Sequence, residues 1–184
     1  MEFIKHNYNI ISTAIFGIAI IVAHFFATSN YDWTKNTISD LGSQGYEWKM
    51  IMQFGFLAFG ITLAFGLLLN GLTWRTAPIL IYGLCIALTG IFCTKPFFSL
   101  DTFSISQSNL HSAFAQIAGI TFSIGILTQI FFTTSNNEKY VHLLFFILVV
   151  GLSATFGLLK DYQGVVQRTM YLVSFIWLIK IYKP

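Results

Sequence analysis

Ile10-Ile11-Ser12-Thr13-Ala14-Ile15-Phe16-Gly17-Ile18-Ala19-Ile20-Ile21-Val22-Ala23-His24-Phe25-Phe26-Ala27 is a run of eighteen residues with no Asp, Glu, Lys or Arg. As a helix rising ~1.5 Å per residue it nearly crosses a hydrocarbon core ~30 Å thick. The competing reading is a secretory signal peptide, because the run follows a short polar start carrying Glu2 and Lys5. Signal cores are typically about 7–15 residues long and end at a small-x-small cleavage site. This run is longer, and no such site precedes Asn30, so it is read as a first membrane-spanning helix.

Comparable runs recur along the 184 residues, of which 55% are hydrophobic and 9% charged, with a mean hydropathy of +0.71. That composition excludes an ordinary soluble globule. The expected fold is all-α, a single polytopic integral membrane bundle of six transmembrane helices over residues 9–28, 49–69, 78–94, 111–132, 141–159 and 166–182. Pro78 suits a first helical turn, Asn70-Gly71 can end a helix, and Thr133 to Asn137 form a polar turn. Six spans of ~20 residues leave no room for a soluble catalytic domain. Any chemistry must lie in the bundle or at its edge.

Six spans put both termini on one face. Lys5, Arg75, Lys139, Lys180 and Lys183 then share the terminal face, and Lys35, Lys49, Lys95, Lys160 and Arg168 the other, so the basic count ties. The acids do not: Glu2 and Glu138 stand against Asp32, Asp40, Glu47, Asp101 and Asp161. On that preference the termini are placed in the cytoplasm and the protein in the bacterial cytoplasmic membrane. A net charge of +3 spread over short loops lacks the basic stripe that nucleic acid needs.

Membrane helices approach one another through small residues at helical spacing. Ala14 and Gly17; Gly55, Ala58, Thr62 and Gly66; Gly83, Ala87 and Gly90; and Ser112, Gln116, Gly119 and Ser123 form such stripes, leaving Phe, Leu and Ile to face lipid. Ser112 and Gln116 read as interhelical glue or as a substrate path. Cys85 and Cys93 are too far apart on one helix for a disulfide and read as small core residues.

Unusual polar residues concentrate in the three loops of the non-terminal face. Asn36, Ser39 and Asp40 lie between the first two spans, Asp101 and His111 between the third and fourth, and Gln167 and Arg168 at the start of the sixth. His24, one turn inside that face, shares a helical side with Gly17 and is expected to point inward. Each has a plainer alternative. Ser39 or Asp40 can cap a short helix ended by Gly42, Lys160 and Asp161 can be a solvated pair, and Arg168 can snorkel to the interface. Gln167 lies on a face with Tyr171 and Ser174, which favours an inward site. His111 at a helix start suits a neutral imidazole.

Asn36-Thr37-Ile38-Ser39-Asp40-Leu41-Gly42, Asp101 with His111-Ser112, and Gly164-Val165-Val166-Gln167-Arg168 resemble the bacterial and archaeal six-span family known as domain of unknown function nine hundred and ninety-eight. The Ser-Asp-x-Gly piece is also similar to the Frag/DRAM/Sfk membrane proteins. The resemblance implies the six-helix fold, a polar cluster and a lean toward lipids. Three functions stay open. In an enzyme acting on a lipid or other amphiphile, Asp40, His111 and Arg168 would be catalytic, and Asn36, Ser39, Gln167 and Asp101 would bind substrate. Asp40 would act as base with His111 orienting it, and Arg168 would hold an anionic head group. A carrier, channel or sensor would use the same cluster for binding a membrane lipid. A structural protein would use it only to cap loops. The sequence leaves any cofactor open, and a metal, if bound, would take His24, Asp40, Asp101 and His111, without a His-Glu-x-x-His signature.

Overall fold

Six helices account for most of the chain, as the apolar runs predict. The computed structural model describes residues 2–183. The helices are α1 (Glu2–Phe25), α2 (Lys49–Asn70), α3 (Ala77–Ile91), α4 (Ile105–Phe132), α5 (Asn136–Leu158) and α6 (Gln163–Ile176), the last continued by a π turn, Trp177–Ile181. Each helix packs on the one before it. Neighbours run antiparallel: Gly66 and Gly55 of α2 meet Tyr8 and Ala19 of α1, and Ile79 of α3 meets Gly125 of α4. The ring closes where Phe16 of α1 meets Tyr171 and Phe175 of α6, with ring centroids 5.0 and 5.9 Å apart. One end gathers the connections 26–48, 92–104 and 159–162. The other gathers the start of α1, the end of the π turn and the connections 71–76 and 133–135.

Five helices are long and apolar enough to cross a membrane. The third is not. α3 has 15 residues, ~22 Å at ~1.5 Å per residue, and stops at Ile91 where Phe92 turns extended. Its last carbonyls are satisfied by groups from elsewhere, which is the condition for ending a helix at depth. His111 Nδ1–H donates to Thr89 O (3.1 Å) and Phe92 O (2.8 Å), Gln44 N–H to Thr94 O (3.1 Å), and the Gln44 amide to Cys93 O (3.3 Å). α4 starts six residues earlier than expected. Ser104 caps it by accepting from Gln107 N–H, and the polar turn Ser106 to Asn109 lies within the helix.

Small residues bring helices together on α2 and α3, as the stripes predict. A Cβ on Gly55 would stand 2.6 Å from the Ala19 Cβ, and one on Gly90 would stand 2.7 Å from the Gln53 carbonyl. The stripes on α1 and α4 do not do this. Ala14, Ser112 and Gln116 are exposed, and a Cβ on Gly17 or Gly119 would meet nothing within 4 Å. The expectation that Phe faces lipid also fails at the centre: Phe16, Phe56, Phe59 and Phe122 are fully buried among one another, Tyr82 and Trp177. A ring of six helices encloses more volume than glycine and alanine fill, and large rings close it. The exposed surface carries a belt of Ile, Leu and Phe, including Ile18, Phe54, Phe131 and Leu144, as a lipid-facing surface should.

Candidate functional site

The three loops meet over one end of the bundle. The 31–37 segment bends its backbone carbonyls toward the start of α6, and the sequence of α6 is built to receive them. Gly164 N–H donates to Lys35 O (3.1 Å) and Val165 N–H to Thr34 O (3.1 Å). A Cβ on Gly164 would stand 2.8 Å from Thr34 O and closer still to Trp33 O and Asn36 O, so only glycine lets the strands of chain approach. One turn on, Arg168 Nη1 donates to Trp33 O (2.9 Å), Asn36 O (3.0 Å) and Gly164 O (2.8 Å). Its Nη2 donates to His24 Nε2 (2.9 Å) and to the Tyr31 hydroxyl. Gln167 accepts from Ile38 N–H (2.6 Å) and approaches the Ser39 hydroxyl at 3.5 Å.

Tyr31 completes the clamp. Burial pushes its phenol up to about 12 despite the lowering pull of Arg168, so the hydroxyl keeps its proton and donates to Thr37 O (2.9 Å). His24 donates from Nδ1 to Ile20 O (2.8 Å), which leaves Nε2 as the acceptor for Arg168 and fixes a neutral tautomer. Its ring lies edge-on to Tyr31 at 5.7 Å.

Asp40 and Thr37 form a reciprocal cap on the 3-10 turn Ser39–Gly42: Thr37 N–H donates to Asp40 Oδ2 (2.7 Å) and Asp40 N–H to Thr37 Oγ1 (3.2 Å). Burial raises the Asp40 carboxyl above its ordinary range, partly offset by the Thr37 bonds, the Asn36 amide and His111. Asp40 and His111 therefore feel one another, while each is engaged in holding backbone. Asn36 is turned to its own loop, its Oδ1 accepting from Asp32 N–H (2.8 Å). Asp101 is exposed on the 92–104 connection, and Lys160 and Asp161 are exposed without forming an ion pair within 4 Å.

The four candidate metal ligands do not come together: among the described residues no three His, Cys, Asp or Glu side chains gather in a way that could hold an ion. His24 sits against Arg168, His111 against the end of α3, and Asp101 outside both.

Sequence reasoning missed Tyr31, Gln44 and Tyr46. Gln44 bridges two loops, accepting from Ser104 N–H (2.7 Å) and donating to Ser104 O (2.9 Å), and the Tyr46 hydroxyl donates to Phe26 O (3.0 Å). The signal for Gln44 was its place in a polar loop directly after the Ser-Asp-x-Gly piece. Sequence reasoning also put the unusual polar residues on the non-terminal face, whereas the terminal end buries Gln129 and His142 beside Arg75 and Trp177.

Beside the clamp a groove of about 450 Å³ opens on the outer surface, lined by Ile20, Ile21, His24, Phe25 and Arg168. A second, of about 540 Å³, lies on the other flank of α1, lined by Ile15, Ile18, Ala19, Val22, Met50, Ile51 and Phe54. The first has a cation in its wall and the second is wholly apolar. No curated protein and no solved structure matches the chain. The model of the family described as Protein of unknown function (DUF998) matches residues 10–181, the same span that carries the loop clamp and its receptor on α6, and the chain belongs to that family.

Proposed function

We propose that this protein binds an anionic amphiphile, a phospholipid of the surrounding bilayer, with its phosphate at Arg168 and an acyl chain along Ile20, Ile21 and Phe25. One observation carries the reading: Arg168 forms part of the wall of a lipid-facing groove, and among the described residues no carboxylate lies within 4 Å of its guanidinium. The carbonyls that hold Nη1 and Nη2 bear no formal charge, so the positive charge stays uncompensated, and Nε–H makes no hydrogen bond within the described residues. A cation near the interface attracts an anionic headgroup, and an apolar trough accepts its chain.

Ile21→Trp tests this without touching the clamp, because Ile21 is exposed on the groove wall. Native mass spectrometry of protein taken from vesicles of equal phosphatidylglycerol and phosphatidylcholine should show phosphatidylglycerol retained by the wild type. The variant should lose it at an unchanged unfolding midpoint. Equal retention of both lipids by the wild type would defeat the reading.

A second reading, catalysis on the bound amphiphile with Asp40 as base and His111 as its orienting partner, draws on the mutual influence of those two groups. Turnover of a labelled phospholipid that disappears in Asp40→Asn at unchanged stability would select it. No turnover in the wild type would leave binding.

A further inference from the structure

The terminal end of the bundle carries a second arginine whose surroundings differ. Arg75 donates from Nε (2.8 Å) and Nη2 (2.6 Å) to one atom, Gln129 Oε1. That pairing fixes the amide, so Gln129 Nε2 can only donate, and it has no partner although the residue is completely buried. The hydroxyls of Tyr8 and Tyr182 are also without partners, on side chains only 2% and 6% exposed. Tyr182 stands at the same end, its ring 5.1 Å from that of Trp177, whose indole bonds His142, and its phenol lies near enough to Arg75 and Tyr8 for both to bear on it. Trp177 donates to His142 Nδ1 (3.1 Å), which puts the imidazole proton on Nε2 and adds another donor. The unpartnered acceptor Asn9 Oδ1 can serve Tyr8, its sequence neighbour. The Gln129 amide and Tyr182 hydroxyl remain as orphan donors next to a guanidinium that has no carboxylate within 4 Å among the described residues.

We infer that this cluster encloses a small inorganic monoanion of halide size, held by Arg75, Gln129 Nε2 and the hydroxyl of Tyr182. Buried donors left unmade are costly, and a guest that accepts from all of them removes that cost. The charge of Arg75 selects an anion over water. The burial of Tyr8, Gln129, His142, Trp177 and Tyr182 selects a small ion over a lipid headgroup, which needs an open mouth.

The test uses the full chain in nonionic detergent, exchanged into sodium gluconate and titrated with sodium chloride or bromide at constant ionic strength. The unfolding midpoint should rise saturably with either halide. Tyr182→Phe removes one donor and little packing. It should raise the apparent dissociation constant ~tenfold, while its midpoint in gluconate stays at or above that of the wild type. A bromide-soaked crystal should show an anomalous peak beside Gln129 Nε2. A wild-type midpoint indifferent to halide would assign the cluster to water and overturn the inference. So would a response to phosphate without one to chloride, or an undiminished halide response in Tyr182→Phe.

Discussion

Arg168 and Arg75 stand at opposite ends of the bundle, and among the described residues neither has a carboxylate partner within 4 Å. Arg168 spreads its Nη donors over three carbonyls, a histidine and a tyrosine, and so fastens a long loop to a helix. Arg75 gives both of its side-chain hydrogen bonds to one amide oxygen and leaves orphan donors around it. The same residue type thus makes a structural clamp with both Nη atoms engaged at one end and an under-occupied polar cluster at the other. The difference follows from what surrounds each: a loop with turned-in carbonyls offers acceptors, whereas helix ends joined by short connections offer few.

Changes that break the clamp should therefore cost more than changes at the terminal end. Gly164→Ala should have the largest effect, because its Cβ would meet three loop carbonyls that are backbone and cannot swing aside. We expect a loss of ~3 kcal/mol, read as a fall in unfolding midpoint with the 31–37 loop becoming open to protease. A midpoint near wild type would show that the loop is not fastened there.

Arg168→Lys comes next. An ammonium has three donors and no planar fork for five acceptors, so a loss of ~2 kcal/mol is expected. A lysine that matches the wild type would reduce Arg168 to a point charge. Arg75→Met should cost less, ~1 kcal/mol, since it leaves a single acceptor, Gln129 Oε1, unpaired. If the Arg75 change proves the costlier, the contrast between the two ends is wrong.

The smallest effect is a pH dependence. Burial raises the Asp40 carboxyl above its ordinary value of 3.8, so between those two values the folded protein binds more protons than the unfolded chain. The contribution of Asp40 to stability is then fully present below the ordinary value and declines as pH rises to the raised one. Asp40→Asn keeps an acceptor for Thr37 N–H and should flatten that slope. A slope unchanged in the variant would move its origin elsewhere.

Hydrophobic length made the helices legible in the sequence, and turn residues placed most of their ends. It misjudged α3, because its early stop depends on carbonyls satisfied by His111 and Gln44, partners 22 and 49 residues from Thr89 and Cys93 that periodicity cannot see. The small-residue stripes were right where Gly55, Gly66, Gly83 and Gly90 meet a neighbour and wrong on α4, where Ser112 and Gln116 face outward. The loop cluster was legible as a place. The bonds among Gln167, Arg168 and the loop were not, since most of them run to backbone atoms that every residue possesses. Tyr31 was lost among aromatics for the same reason.

The two grooves flanking α1 allow the most direct test of the central claim, that Arg168 holds an anionic lipid. Phosphatidylglycerol with a photoreactive group on one acyl chain would be crosslinked to the reconstituted protein, the labelled residues identified, and the reaction repeated with matching phosphatidylcholine. The account predicts phosphatidylglycerol labelling concentrated on Ile20, Ile21 and Phe25, with the groove of Ile15, Ile18 and Phe54 labelled equally by both lipids. Equal labelling of both grooves by phosphatidylglycerol, or equal labelling of the Arg168 groove by the two lipids, would contradict it.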